Sequence, residues 1–359
     1  MGDRHRFTIR SAAAPILLCV FTLLGCGQAE DVSARAAVPK APRTGEVNVY
    51  SSRHYDTDLA LYENFEARTG IRVNLIEAGA DQLIERIRTE GEYSPADVLI
   101  TVDAGRLWRA EQAGILSPAQ SDVLEARVPA HLRHPDGLWF GLSKRARVII
   151  HNVDDELTPL STYADLANPV HAGKLCVRSS SNIYNISLLA SRIARDGEAA
   201  AERWTEGVVA NFARPPQSND TGQIKAVASG DCGLSIVNSY YLARFAASSN
   251  AADKALFSRV RVVFPDQGGT GTHINISGAG IVRTAPNRAE ALRFIEYLTE
   301  TESQELFANG NHEYPIVAGV APTSAVAALG AFEEDTINAA ELGRNQALAV
   351  KVFDRAGWN

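Results

Sequence analysis

Residues 47–76 read VNVYSSRHYDTDLALYENFEARTGIRVNLI, and this stretch decides the fold. A β-rich run over 47–50 predicts a short strand. A helix is expected over 58–68, with Asp56 or Thr57 as its cap and Gly70 as its stop. A second strand follows over 71–76. Working outward, the next segments read as a helix over 80–90, a strand over 97–100 and a helix over 104–113 that stops at Gly114. This repeated strand–helix rhythm means an α/β protein with a mostly parallel sheet covered by helices. A second cycle holds strands over 148–151, 175–178 and 234–237 and helices over 185–196, 199–211 and 223–229. A helix from about Tyr240 and a strand over 260–264 complete it. The strand over 274–282 and helices over 288–299 and 301–309 return to the first unit. Two α/β lobes joined by strand crossings place a ligand cleft between them.

Composition fits that reading. The chain has 359 residues, 45% hydrophobic, 21% charged and 7% aromatic, which excludes a disordered chain, a coiled coil or a disulfide miniprotein. Its length suits two domains. A net charge of −7 argues against a nucleic-acid partner, which selects a basic face. The body of the chain carries no apolar run long enough for a membrane span.

The first residues read as an address. Arg4, Arg6 and Arg10 form a basic start, and residues 12–24 are apolar but short for a span. Leu23-Leu24-Gly25-Cys26 then resembles a bacterial lipobox, in which the cysteine is acylated and becomes the new N-terminus. An ordinary signal peptide with a chance cysteine is the competing reading. Residues 1–25 are taken as the signal peptide and 26–45 as a tether, which places the protein in the periplasm or at the cell surface on a lipid anchor. Of the remaining cysteines, Cys19 lies in the signal. Cys176 and Cys232 form an even pair in an oxidising compartment, and a disulfide is expected between them. Two cysteines without a C-x-x-C spacing fit a metal or redox site poorly.

No catalytic constellation stands out. The chain has no G-x-S-x-G, H-E-x-x-H or phosphate-binding loop. Gly268-Gly269-Thr270-Gly271 lacks the Lys and the following helix that a phosphate loop needs. His131 and His134 flank a Pro turn and read as surface residues, as do His273 and His312. The protein is therefore expected not to be an enzyme.

Tyrosine placement does stand out. Tyr240 and Tyr241 directly follow the strand over 234–237. His54 and Tyr55 follow the first strand, and Tyr184 follows a Ser-rich turn after the strand over 175–178. All three segments lie at carboxyl ends of strands, where such folds gather ligands. Each Tyr taken alone is more often a packed ring.

Six motifs carry a resemblance. They are Tyr-Ser-Ser-Arg-His-Tyr (50–55), Ser-Pro-Ala-Asp-Val (94–98), Gly-Leu-Trp-Phe-Gly-Leu-Ser-Lys-Arg-Ala-Arg-Val (137–148), Val-Arg-Ser-Ser-Ser-Asn-Ile-Tyr-Asn (177–185), Asn-Ser-Tyr-Tyr (238–241) and Gly-Thr-His-Ile-Asn-Ile-Ser-Gly (271–278). In this order, over about residues 46–320, the chain resembles the ferric-iron-binding solute receptors of bacterial iron-uptake ABC transporters. The resemblance implies a two-lobed, transferrin-like periplasmic binding protein fold with a hinge and interleaved lobes. The first lobe is expected over 46–144 and 272–318, the second over 145–271 and 319–359. It implies a monomer that delivers iron to an ABC permease and ATPase. The metal ligands it implies are His54, Tyr55, Tyr184, Tyr240 and Tyr241, the pattern of the branch that needs no external anion. Other branches place a Glu where this chain has Val102; Asp103 is the nearest carboxylate. Ferrous iron is left open as a second cargo.

The chemistry agrees with that donor set. Fe³⁺ is a hard cation that prefers anionic oxygen, and phenolate is such a donor. Four phenolates and a neutral imidazole around Fe³⁺ carry one net negative charge, which a nearby cation should balance. Arg53 and Arg145 are the expected cations, whereas Arg147 reads as solvated or paired with a surface acid. A receptor of this fold for an anion or a polyamine would not need four convergent tyrosines. An extracytoplasmic enzyme with a Tyr or Arg catalytic group would show turnover and no colour with iron.

Overall fold

Strand β1 (Gly45–Ser51) buries Val47 and Val49 completely, and the chain then enters helix α1 (Asp56–Thr69). The structure, a computed structural model, describes residues 44–359 apart from 156–159 and 218. The signal peptide, Cys26 and the tether up to residue 43 lie outside the described residues. Helix α1 stops as expected, with Gly70 at φ 74° returning its N–H to the carbonyl of Glu66. Its start differs from expectation. Tyr55 is the N-cap, in extended backbone and without a side-chain capping bond, and Asp56 already lies in the first turn. An acidic first turn favours the helix dipole without a cap. Tyr55 thus sits at the junction of β1 and α1.

Strand β2 (Ile71–Glu77), helix α2 (Ala80–Glu90), strand β3 (Val98–Val102) and helix α3 (Ala104–Gln112) complete the first unit. β1 pairs in parallel with β2 and β3. Next come β4 (Leu116–Ser117), α4 (Asp122–Arg127), β5 (Phe140–Asn152) and β6 (Leu175–Cys176). Helices α5 (Ile183–Asp196), α6 (Glu198–Ala210) and α7 (Asp220–Ser229) precede β7 (Leu234–Asn238) and α8 (Ser239–Ala247). The last strands are β8 (Val260–Val263) and β9 (Ile274–Val282). Cys176 and Cys232 are joined by a disulfide that ties β6 to the turn before β7, with Cα atoms 5.9 Å apart.

The sheet order is β2-β1-β3-β9-β5-β7-β6, with β4 on β9 and β8 on β5. The sheet is mixed, which corrects the expectation of a mostly parallel one. β9 runs antiparallel to β3 and β5, and β5 runs antiparallel to β7. The reason is that β5 is one 13-residue strand, of which 148–151 is only the tail. Its first half, Phe140–Ala146, pairs with β9, and its second half pairs with β7 and β8. β5 and β9 therefore carry the chain between two half-sheets, the architecture of a two-lobed binding protein. The strand expected over 175–178 shortens to two residues, which frees Arg178 to leave the sheet.

Two apolar clusters pack against the sheet, the larger of them spanning both half-sheets through residues such as Leu99 on β3 and Val237 on β7. Phe65, Leu99 and Phe294 lie in one core, and Trp204, Leu189, Phe353 and Trp358 in the other. Among the described residues no helix is long and apolar enough to cross a membrane.

Candidate metal centre

Strand β5 is buried almost throughout, yet it carries Ser143, Arg145 and Arg147 at successive second positions. Side chains alternate along a strand, so these three share one face. A fully buried strand normally reads as continuous apolar residues. The polar stripe therefore needs partners, and each member has them. Ser143 donates to Glu313 at 2.5 Å. Arg145 approaches Asp103 at 3.8 Å and Ser277 at 3.3 Å. Arg147 donates to Asp220 at 2.7 Å, Asn185 at 2.8 Å and Asn238 at 3.1 Å.

These partners hold the segments that carry the tyrosines. The Asn182 side chain accepts from the N–H of Tyr184 and caps α5, which fixes Tyr184 in the first turn. Asn185 donates to the carbonyls of Arg178 and Ser179 and so pins the Ser-rich turn. Asp220 accepts from Arg147, from Arg178 and from the N–H of Asn238, just before Tyr240 and Tyr241. One buried carboxylate thus joins the loops that present three of the four tyrosines.

The tyrosines converge. The Tyr240 hydroxyl donates to that of Tyr184 at 3.3 Å. The rings of Tyr240 and Tyr241 lie 4.3 Å apart. The Arg244 guanidinium lies 5.0 Å from the Tyr240 ring, 5.5 Å from Tyr241 and 5.7 Å from Tyr55, which brings β1's end to the same place. Tyr184 has Arg145, Arg147 and Arg178 at 5.6, 5.9 and 5.4 Å from its ring. Arg53 lies 4.9 Å from the Tyr55 ring. A cavity of about 880 Å³ elsewhere, walled by Val128, Ile316 and Phe332, contains none of these four residues.

Burial makes the phenols poor acids while no cation is bound. Burial pushes Tyr55 up; Glu313 adds to this, and Arg53 and Arg244 oppose it. Burial also raises Tyr184, against Arg145. Tyr240 stands well above the ordinary phenol value, through burial and then the neighbouring phenols. Tyr55, Tyr184 and Tyr240 are thus held protonated among arginines. A hard cation entering here would displace the protons. Among the described residues no group of three or more His, Cys, Asp or Glu side chains is placed to hold a metal ion.

A sequence profile for bacterial extracellular solute-binding proteins matches residues 60–334. The chain belongs to this family. Iron uptake protein A1 of Synechocystis is 51% identical over 99% of this chain and 98% of its own length. The major ferric iron-binding protein of Neisseria meningitidis serogroup A is 26% identical over 90% of this chain and 96% of its own. A solved structure of the Trichodesmium protein IdiA (FutA) in complex with iron and citrate is 54% identical, with a TM-score of 0.85, covering 88% of this chain and all of that one.

This solute-binding protein differs from the sequence reading at several residues. The His54 side chain is 56% exposed and lies 3.9 Å from Glu77, its charged partner among the described residues. Arg147 is neither solvated nor paired at the surface: it is buried against Asp220, which is itself buried. A guanidinium in the interior requires such a partner. His134 and His273 are likewise buried, contrary to a surface reading. His134 lies 3.3 Å from Glu111 and edge-on to Trp139. Burial, with Arg147 and Arg145 adding, pushes His273 down to about 3. Asp103 has φ 90°, and its oxygens accept from Gly105, Ser187 and Asn275. Both oxygens of that carboxylate are thus engaged within the fold, with the Arg145 guanidinium 3.8 Å away.

Two residues of the site were missed from sequence. Arg244 follows Tyr240 by four positions and Tyr241 by three, so the i, i+3 and i, i+4 rule places it beside both. Glu313 carries no such local signal. One feature that brings it to the site is the pairing of β5 with residue 314: Lys144 and Tyr314 exchange backbone hydrogen bonds.

Proposed function

We propose that this protein is an extracytoplasmic ferric-iron receptor that delivers iron to an ABC importer, as the iron-binding proteins it resembles suggest. The observation that carries this reading is the convergence of Tyr55, Tyr184, Tyr240 and Tyr241 under flanking guanidiniums. The four phenolates bind Fe³⁺ as cargo, and His54 turns from Glu77 to supply the imidazole. Arg53, Arg145 and Arg244 offset the negative charge of the complex. Tyr55 belongs to a lobe formed by 46–144 and 272–318. Tyr184, Tyr240 and Tyr241 belong to a lobe formed by 145–271 and 319–359. Iron bridges the lobes and stabilises hinge closure. Two observations support that division. β5 and β9 carry the chain between half-sheets. The C-terminal helix Gln346–Ala356 packs with Phe353 and Trp358 in the second core.

The protein acts as a monomeric carrier rather than an enzyme, and an ABC permease and ATPase receive the loaded form. Residues 1–25 are removed and Cys26 is acylated, which tethers the receptor outside the cytoplasm. Labelling with a fatty acid tests the anchor, and Cys26→Ser should abolish the label.

Ferric citrate added to the purified protein tests the cargo. Phenolate-to-iron charge transfer gives an orange to red colour at one iron per chain. A colourless protein that binds no ferric iron refutes the reading.

A further inference from the structure

We infer that Glu313 biases the tyrosine site toward ferric over ferrous iron; this rests on the ferric-receptor reading above. Glu313 is 2% exposed. Its Oε2 accepts from Arg53 at 3.0 Å and from Ser143 at 2.5 Å. Arg53 is held on its other side by Asp58, at 2.7 and 3.1 Å, and faces the Tyr55 ring. A carboxylate is thus locked one guanidinium away from a proposed ligand. It reaches that place through two backbone features. His312 adopts φ 56°, and the Gly310 backbone abuts the Thr57 side chain so closely that a Cβ at 310 would lie 2.6 Å from it.

The fixed charges around the site show what this carboxylate does. Five guanidiniums lie within 4.9–5.9 Å of the four tyrosine rings: Arg53, Arg145, Arg147, Arg178 and Arg244. Four carboxylates pair with these arginines: Asp58, Asp103, Asp220 and Glu313. The frame therefore carries one positive charge. Fe³⁺ with four phenolates and a neutral imidazole carries one negative charge, so the ferric complex is neutral overall. The ferrous complex would leave one negative charge in a largely buried site, which is costly. Without Glu313 the frame would carry two positive charges and would suit the ferrous complex instead. Asp58 and Asp220 hold their arginines through two contacts each, whereas Glu313 accepts through one oxygen. Asp103, 3.8 Å from Arg145, also accepts from Gly105, Ser187 and Asn275 through both oxygens, whereas a Gln at 313 keeps one acceptor oxygen for Arg53 and Ser143.

Glu313→Gln tests this, read by spectroelectrochemical titration of the phenolate–iron band. A buried unit charge near the metal is worth about a tenfold change or more in the ferric-to-ferrous affinity ratio. The midpoint potential should therefore rise in E313Q, by about 59 mV for each factor of ten. Glu313→Asp, which keeps the charge but withdraws it from Arg53, should raise the potential by less; it carries the test if E313Q does not fold. A potential that is unchanged or lower in whichever of the two binds iron overturns the inference. Wild-type protein that never forms the coloured complex overturns the receptor reading instead.

Discussion

The hydroxyl of Tyr240, at the start of α8, donates to the hydroxyl of Tyr184, in the first turn of α5, across 3.3 Å. Two helices that begin 56 residues apart in sequence thus aim their first turns at one point. Two neutral phenols hydrogen-bonded in this way bring both oxygens to one point, where a cation can displace both protons. Replacing Tyr240 by Phe should lower ferric affinity at least about 100-fold, beyond the usual cost of losing a group that merely supports a ligand. Replacing Tyr240 and Tyr241 together should abolish the charge-transfer band. A double variant that keeps the band would place iron elsewhere.

Iron loading should release protons. Tyr55, Tyr184 and Tyr240 are all raised by burial, so they are protonated at neutral pH without metal. Each must ionise to bind, so ferric affinity should fall steadily from pH 8 to pH 5. Titration in weak buffer should record at least three protons released per iron. A flat affinity profile, or fewer than two protons, would contradict phenolate ligation.

Acid should destabilise the iron-free fold through His273. Its folded value is about 3, against about 6.5 when unfolded, because burial and then Arg147 and Arg145 disfavour the charged ring. Below pH 6.5 the unfolded chain takes up a proton that the folded chain refuses. This contribution is whole above pH 6.5. It is lost by about 1.4 kcal/mol per pH unit down to pH 3. Urea unfolding of His273→Gln and wild-type protein should therefore give stability differences that narrow between pH 7 and pH 4. Parallel profiles would show that the ring is protonated in the fold.

Asp220 should matter to stability as well as to the site. Asp220→Ala leaves Arg147 and Arg178 without their shared carboxylate, at about 3–5 kcal/mol for a broken buried pair. A loss below about 1 kcal/mol would mean that the pair behaves like a surface contact. Reducing the Cys176–Cys232 disulfide should cost about 4 kcal/mol in the loop-entropy view. Urea unfolding with and without reductant measures this.

Much of the fold was legible because local signals were strong. The β1–α1–β2 run, the Gly70 stop and the strand Ile274–Val282 all sit where apolar patterning and glycine placed them. Sheet direction was not legible. Sequence pattern marks a strand, but not whether the chain crosses between half-sheets, as β5 and β9 do. Burial of charge was also misread. Arg147 looks like any surface arginine until Asp220, 73 residues away, is brought to it. The alternation of Ser143, Arg145 and Arg147 along an otherwise apolar strand was the available clue. Tyr55, Tyr184, Tyr240 and Tyr241 could be proposed as a group because each follows a strand. Glu313 could not, since its link to Arg53 spans 260 residues.

The most direct measurement is a crystal structure of the iron-loaded protein with anomalous data at the iron edge. The account predicts one iron peak bonded to the hydroxyl oxygens of Tyr55, Tyr184, Tyr240 and Tyr241. A peak bonded to fewer than three of them, or lying away from the cluster, would contradict it.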